Sequence, residues 1–338
     1  MSFGILAIDH ALGEPRSVAD DAAAYVGADA DVAAWGYQTF YRAPDGVGVT
    51  DLAAQAGQAA LDRAGISAAD VDLVLLAMAD VAEYLYWDPA AATQAKLGAL
   101  RAEAFLVNQA CSSGVAAFDV VAGKFATHPD HRVALLVSAN RVCESYWNRM
   151  DSSAAITSDG AAAAVLVRDH DAYRWLTTEV VSDGRYADFC RLPTGGAARP
   201  FTSAADVPEQ IGNPATLMNR FLGGDRLAMI RYLRHDRACS RTVVERACDR
   251  TGIHLADIRY VLHLNGTSKG LQDYAEQIGI PLERTNHRLA RRYGHFGSAD
   301  QIFTLGRLRD EGALHPGDIV ALTSTGNGMH WACTLLRV

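Results

Sequence analysis

The sequence predicts an α/β protein made of two pseudo-duplicated halves, each folded around its own sheet. Three observations lead there. A segment recurs at a fixed offset of 187 residues, short apolar runs alternate with helical patterns, and 338 residues suit two units of roughly 150 residues each. The first recurring block pairs Asp62-Arg63-Ala64-Gly65-Ile66 with Asp249-Arg250-Thr251-Gly252-Ile253, and over 62–77 against 249–264 it is identical at 8 of 16 positions. A second block keeps the offset: His128-Pro129 through Leu135 matches His315-Pro316 through Leu322.

Taken in order, residues 51–63 carry a helical pattern that Gly65 closes, since a left-handed C-terminal cap favours glycine. Leu73-Val74-Leu75-Leu76 is a short continuous apolar run, typical of a strand covered on both faces. Phe105-Leu106-Val107 is strand-like, and Val115, Phe118, Val121 and Phe125 follow at helical spacing. Val133–Val137 is a further buried strand. The first half, 1–170, ends near Arg168–Tyr173. The Gly/Pro-rich stretch Ser182–Pro214 interrupts the repeat and reads as a loop or lid. In the second half, 171–338, a helix over 238–250 closes at Gly252, and Tyr260-Val261-Leu262 and Ile319–Leu322 are its strands. Gly223-Gly224-Asp225-Arg226 lacks the lysine and spacing of a phosphate loop and reads as a turn.

Composition excludes several classes. Hydrophobic residues make up 49% and charged residues 21%, as in a globular protein, which excludes disorder and coiled coil as dominant states. The longest apolar run, Val71–Ala79, stops at Asp80 and is too short for a membrane span. Met1-Ser2-Phe3-Gly4-Ile5 has no basic leader, and the six cysteines are scattered without a CxxC pair, which together point to a reducing cytoplasm. Net charge is −8, unevenly placed: −11 in 1–170 and +3 in 171–338, with eight arginines between Arg220 and Arg250. An acidic chain without interleaved basic and aromatic residues argues against nucleic acid and leaves an acidic protein as partner of the basic segment. His263, His287, His295 and His330 show no metal-ligand spacing, so no metal is expected.

Chemistry enters at Gln109-Ala110-Cys111-Ser112-Ser113-Gly114, between a strand and a helix. Cys111 falls at a helix N-terminus, where unpaired N–H groups and the helix dipole favour thiolate over thiol and so suit a nucleophile. The repeat maps Cys111 onto Ser298 and Ser113 onto Asp300, within Gly294-His295-Phe296-Gly297-Ser298-Ala299-Asp300. It also maps Leu76 onto His263, a polar residue at a strand end, where α/β sheets place ligands. His263 thereby becomes a candidate base for Cys111.

These residues resemble the beta-ketoacyl-ACP synthase III family. The resemblance rests on Gln94-Ala95-Lys96-Leu97-Gly98-Ala99, Ala110-Cys111-Ser112, Ser158-Asp159-Gly160-Ala161, His263, Tyr293-Gly294, and Pro316-Gly317-Asp318 through Gly326-Asn327-Gly328-Met329-His330-Trp331-Ala332. It implies a thiolase-like αβαβα layered sandwich, a homodimer, and a Cys-His-Asn set acting on thioesters. Cys111 matches the nucleophile and His263 the histidine. Gly328 matches the glycine whose N–H, with that of Cys111, forms the oxyanion hole. No cofactor is implied: the acyl-phosphopantetheine of a carrier protein or of coenzyme A is a substrate.

Departures from the family pattern shape the expected function. The family's His-Gln-Ala-Asn is here His263-Leu264-Asn265-Gly266, with Asn265 as a candidate substrate-binding residue, and His295 stands where the catalytic asparagine follows Tyr-Gly. An acyltransferase branch uses Cys-His-Asp, and Asp300 is then the candidate that orients His263, or else a first-turn residue complementing the helix dipole. Trp35-Gly36-Tyr37-Gln38-Thr39 and Asp151-Ser152 depart from the segments that hold the nucleotide of coenzyme A, which favours an acyl carrier protein as donor. The expectation is therefore transfer of an acyl group from Cys111 to an oxygen, nitrogen or sulfur nucleophile of a small-molecule acceptor, in specialised metabolism. Decarboxylative condensation with malonyl-ACP, with His295 donating in the asparagine's place, is the alternative. A catalytically silent carrier-binding or partner subunit is the third.

Overall fold

The structure, a computed structural model, describes residues 2–27, 30–150, 154–203 and 210–338, so Asp151-Ser152 lies outside the described residues. Its strands are β1 (Phe3–Leu12), β2 (Glu14–Ser17), β3 (Thr39–Arg42), β4 (Leu73–Met78), β5 (Glu103–Asn108), β6 (Val133–Asn140), β7 (Gly160–Arg168), β8 (Arg174–Ser182), β9 (Ile258–Leu262), β10 (Ile319–Gly326) and β11 (His330–Arg337). The helices are α1 (Val18–Asp21), α2 (Val49–Ala64), α3 (Pro89–Leu97), α4 (Ser113–Thr127), α5 (Pro214–Phe221), α6 (Arg226–Thr251), α7 (Ser268–Ile278), α8 (His287–Tyr293) and α9 (Asp300–Asp310).

The larger sheet runs β1-β7-β6-β4-β5, the smaller β8-β11-β10-β9, and β2-β3 form a separate ribbon. Strands β4, β5 and β6 are mutually parallel and β7 runs antiparallel to both β6 and β1, while β9 and β10 are parallel and β11 runs antiparallel to both β10 and β8. The two sheets thus share one order, with β4 answering to β9, β6 to β10, β7 to β11 and β1 to β8. Only β5 lacks a full counterpart: in the smaller sheet its place beside β9 holds a single bridge, Val261 to Thr285.

Helices α4 and α9 fill the space between the sheets. Val115, Phe118, Val121 and Phe125 of α4 meet Ile302, Phe303, Leu305 and Leu308 of α9 in one buried core with Phe3, Leu136, Leu262 and Leu322. Each large side chain so buried contributes roughly 1.5–3 kcal/mol. α2 covers the outer face of the larger sheet through Leu52, Ala53, Ala56, Ala60 and Leu61, and α6 and α7 cover the smaller through Val243, Val244, Ala247, Tyr274 and Ile278. The result is five layers, αβαβα, as the resemblance implies. Gly65 and Gly252 end α2 and α6 in the left-handed conformation, φ 67° and 68°.

One helix departs from expectation. α6 begins at Arg226 rather than near 238, because the Gly223-Gly224 turn, φ 67° and 73°, leads into Asp225, whose carboxylate caps the Leu227 N–H at 2.8 Å. No residue from Arg226 to Ala238 is fully buried, so apolar periodicity did not mark that stretch. Among the described residues no helix is long and apolar enough to cross a membrane.

Candidate active site

Cys111 occupies the turn between β5 and α4. The residue before it, Ala110, sits at φ 50°, a left-handed conformation that costs a non-glycine residue about 1–3 kcal/mol. Ser113 holds the turn: its hydroxyl accepts from the Gln109 N–H at 2.7 Å and donates to the carbonyls of Ala110 and Met78 at 2.7 and 2.8 Å. From the second half, the Ser324 hydroxyl donates to the Cys111 carbonyl at 2.8 Å. Gly326 packs so closely that a Cβ there would lie 2.2 Å from the Gln109 carbonyl oxygen and 2.3 Å from the Ser112 hydroxyl.

The imidazole beside the sulfur is that of His295. Its Nε2 lies 3.5 Å from Cys111 Sγ and its Nδ1 2.6 Å from Asp300 Oδ2. The backbone of His295 is fixed from the first half, donating to the Ile156 carbonyl at 2.9 Å and accepting from the Ser158 N–H at 2.7 Å. Asp300 is fully buried and also accepts from the N–H groups of Asn265 and Phe296, both at 2.6 Å, and from the Asn265 amide at 3.2 Å. Burial opposes the charged imidazole of His295, but the Asp300 carboxylate and then the Cys111 sulfur outweigh it and raise its pKa well above the usual histidine range.

His263 takes a different place from the one the repeat suggested. It is the C-terminal neighbour of β9, its ring stacked on Tyr274 at 3.6 Å, with Nδ1 3.1 Å from the Thr323 hydroxyl. Burial pushes its pKa down to about 3. The Asn286 amide clamps its backbone on both sides at 2.9 Å. The expected Cys111–His263–Asp300 arrangement is therefore corrected: sulfur and carboxylate both meet His295. A strand-end position does not specify to which side its side chain turns, and this one turns to Tyr274.

Asn265 is corrected as well. It is fully buried, and its amide is used within the protein: Nδ2 donates to the Gly294 carbonyl and Asp300, while Oδ1 accepts from Asn286 at 2.7 Å. It braces Asp300 instead of facing a substrate. Tyr37, from the segment that departs from the nucleotide-binding pattern, donates to the Asn265 carbonyl at 2.6 Å and so braces the same network.

Cys111, His295 and Gly328 line one cavity of about 550 Å³, which adjoins a second of about 860 Å³ across Val81, Ala82, Leu85, Trp87, Tyr146 and Leu192. Gly328 has φ 137°, and a Cβ there would lie 2.7 Å from His330 Nε2, so glycine is required. His330 also lines the smaller cavity, its Nδ1 2.8 Å from the Ser182 hydroxyl. Among the described residues no group of three His, Cys, Asp or Glu side chains is disposed to hold a metal ion. Cys190 and Asp80 line the smaller cavity too, neither of them a candidate from the sequence. Asp80 had a usable signal, an acid just past the C-terminal end of a buried parallel strand. For Asn286 no periodicity or motif gave one.

Comparison with known proteins bears on the fold and its relatives. A sequence profile described as 3-oxoacyl-[acyl-carrier-protein] synthase III, C terminal, matches residues 248–338, and one described as thiolase, N-terminal domain, matches 37–145. Beta-ketoacyl-[acyl-carrier-protein] synthase III of Acaryochloris marina is 28% identical over 286 residues, covering 85% of this chain and 82% of that relative. Among solved structures, the acyltransferase ChlB3 superposes with a TM-score of 0.86 at 23% identity, over 100% of this chain and 98% of its own. The 3-oxoacyl-(acyl carrier protein) synthase III of Pseudomonas aeruginosa gives 0.78 at 22%, with the same coverages.

Proposed function

We propose, from its likeness to the 3-oxoacyl-ACP synthase III family of the thiolase fold, that the chain is an acyltransferase working through Cys111, His295 and Asp300. One observation carries this reading: an imidazole with a buried carboxylate on one nitrogen and the cysteine sulfur on the other. Asp300 fixes the tautomer with the proton on Nδ1, leaving Nε2 to exchange a proton with the sulfur. Cys111 attacks the donor thioester carbonyl, and the N–H groups of Cys111 and Gly328 receive the developing oxyanion. The departing thiol takes a proton from His295, which then accepts one from the acceptor nucleophile as the second transfer proceeds.

An enolate-stabilising asparagine is replaced by His295, whose Nδ1 is bound to Asp300, which supports transfer to a heteroatom over carbon–carbon bond formation. The likeness to ChlB3 points the same way. Decarboxylative condensation is the second reading, favoured by the synthase names of the sequence relatives. The donor is an acyl carrier protein, for which the arginines of α6 supply an attractive field. A homodimer through β5 is consistent with its exposed edge, where Phe105 and Leu106 are 39% and 44% accessible. Cytoplasmic placement fits six free cysteines.

Intact-mass measurement with a panel of acyl-carrier proteins tests the reading. The expected result is one acyl adduct on Cys111, absent in Cys111→Ala, that is discharged by an acceptor and not by malonyl-ACP. Carbon dioxide release with a two-carbon extension assigns the condensing reaction instead, and no adduct with any donor overturns both.

A further inference from the structure

The acceptor's chemistry is written on the cavity wall. β4 runs parallel to β5 with Met78 opposite Asn108, so the chain leaving β4 carries Asp80 alongside the Ala110–Cys111 turn. Asp80 lines the same cavity as Cys111. Its Oδ1 accepts the Val81 N–H at 2.7 Å, and no ion pair reaches it among the described residues. Burial raises its pKa to about 6, against the backbone N–H groups of Val81 and Cys143 and the Arg149 guanidinium, which does not contact it. Glu83, three residues on, lines the adjoining cavity. One of its oxygens accepts the N–H and hydroxyl of Thr50 at 2.9 and 2.6 Å, and the other is buried without a partner.

Among the described residues none of the cations on these walls pairs directly with Asp80 or Glu83, though Lys96 shares the Thr50 hydroxyl with Glu83. Lys96 bonds Asp51 at 2.6 Å and Thr50 at 2.8 Å, Arg141 donates to the carbonyls of Val47 and Val142, and Arg191 pairs with Asp188 at 3.3 Å. Among the cavity's imidazoles, His295 serves Asp300 and Cys111, and His330 meets Ser182. A carboxylate removed from water without a counter-charge is costly, and a bound cation removes that cost. Trp87 and Tyr146, shared by both cavities, add aromatic faces of the kind that attract cations.

We propose that the acceptor carries a protonated amino group that docks against Asp80, in the field of Glu83, while a hydroxyl of the same molecule meets the thioester on Cys111. This rests on the acyl-transfer reading. The hydroxyl proton passes to His295 as the ester C–O bond forms and the C–S bond breaks. His295 returns that proton to the sulfur, and the amino group keeps its own.

Thiol labelling tests the charge of the wall without any acyl transfer. Cys111 in the full-length protein is modified with cationic 2-aminoethyl, anionic 2-sulfonatoethyl and neutral methyl methanethiosulfonates, each followed by peptide mass spectrometry. The cationic reagent reacts faster than the anionic one after normalisation to the neutral, and Asp80→Asn lowers that ratio about tenfold. Glu83→Gln lowers it less, and Asp80→Glu restores it. Ethanolamine also shields Cys111 from the neutral reagent better than ethylene glycol does. An unchanged ratio in both Asp80→Asn and Glu83→Gln, or equal shielding by the two small molecules, overturns the proposal. Either outcome is separate from failure of the acyl adduct to form.

Discussion

Two histidines near Cys111 divide cleanly by their partners. His295 is bound to sulfur and carboxylate, and His263 to a hydroxyl and an aromatic ring. His295→Ala should therefore abolish adduct formation on Cys111, whereas His263→Gln should keep its rate within about threefold. Asp300→Asn should slow transfer by roughly 100- to 10,000-fold, because the tautomer is no longer fixed. Stopped-flow thioester cleavage reads all three. The titrations have opposite signs. A folded pKa raised above the unfolded value, as for His295, gives stability that is full below about 6.5 and lost as pH rises through the folded value. His263, held neutral to about 3, gives stability that is present above about 6.5 and lost as pH falls from there toward 3. Urea midpoints between pH 7 and 4 should fall more steeply in the wild type than in His263→Gln. Equal slopes would show that His263 is free to protonate in the folded state.

Among elements, the segment joining β6 to β7 fixes where His295 stands. Arg149 is fully buried in it, paired with Asp159 at 2.7 Å and with Glu144, and it donates to the Thr157 carbonyl while Thr157 donates back to its own. The flanking Ile156 and Ser158 are the backbone partners of His295. Arg149→Met leaves Asp159 unpaired and should cost roughly 3–5 kcal/mol, measurable by chemical denaturation. Gly326→Ala on β10 should slow adduct formation by displacing the Gln109–Ser112 turn, and restoring glycine-like space through Ser112→Gly should recover part of the rate. Local pattern showed the α2, α4, β4, β6 and β10 elements because each is long, periodic or wholly apolar. It did not show how His295 is held, because its partners at 156–158 lie far away in sequence and are backbone groups that any residue could supply. The first half of α6 was hidden for the reverse reason: it has helix-forming residues and an inner face, Met229 and Tyr232, that is only partly buried.

For the whole molecule, the 187-residue offset was the strongest signal in the sequence, and it survives in three dimensions as two sheets of one order with α4 and α9 between them. It placed the turns Cys111–Ser113 and Ser298–Asp300 at equivalent helix starts. It pointed to His263 where the structure sets His295 beside the sulfur, because duplication preserves backbone position while side chains diverge. Long-range charge belongs to this scale too: Arg231→Glu with Arg234→Glu on exposed α6 should raise KM for an acyl-carrier donor several-fold and leave KM for the coenzyme A thioester unchanged, an effect that added salt erases. An equal change for both donors would place carrier contact elsewhere. Gly114 also lies at the junction of the halves, where a Cβ would stand 2.2 Å from the Ser298 carbonyl oxygen. Sulfur and imidazole belong to bodies pressed together at that point without slack, so neither can wander while the other stays put. Heating should then leave no window in which the protein is folded but inert: loss of catalysis and loss of tertiary structure should trace one curve.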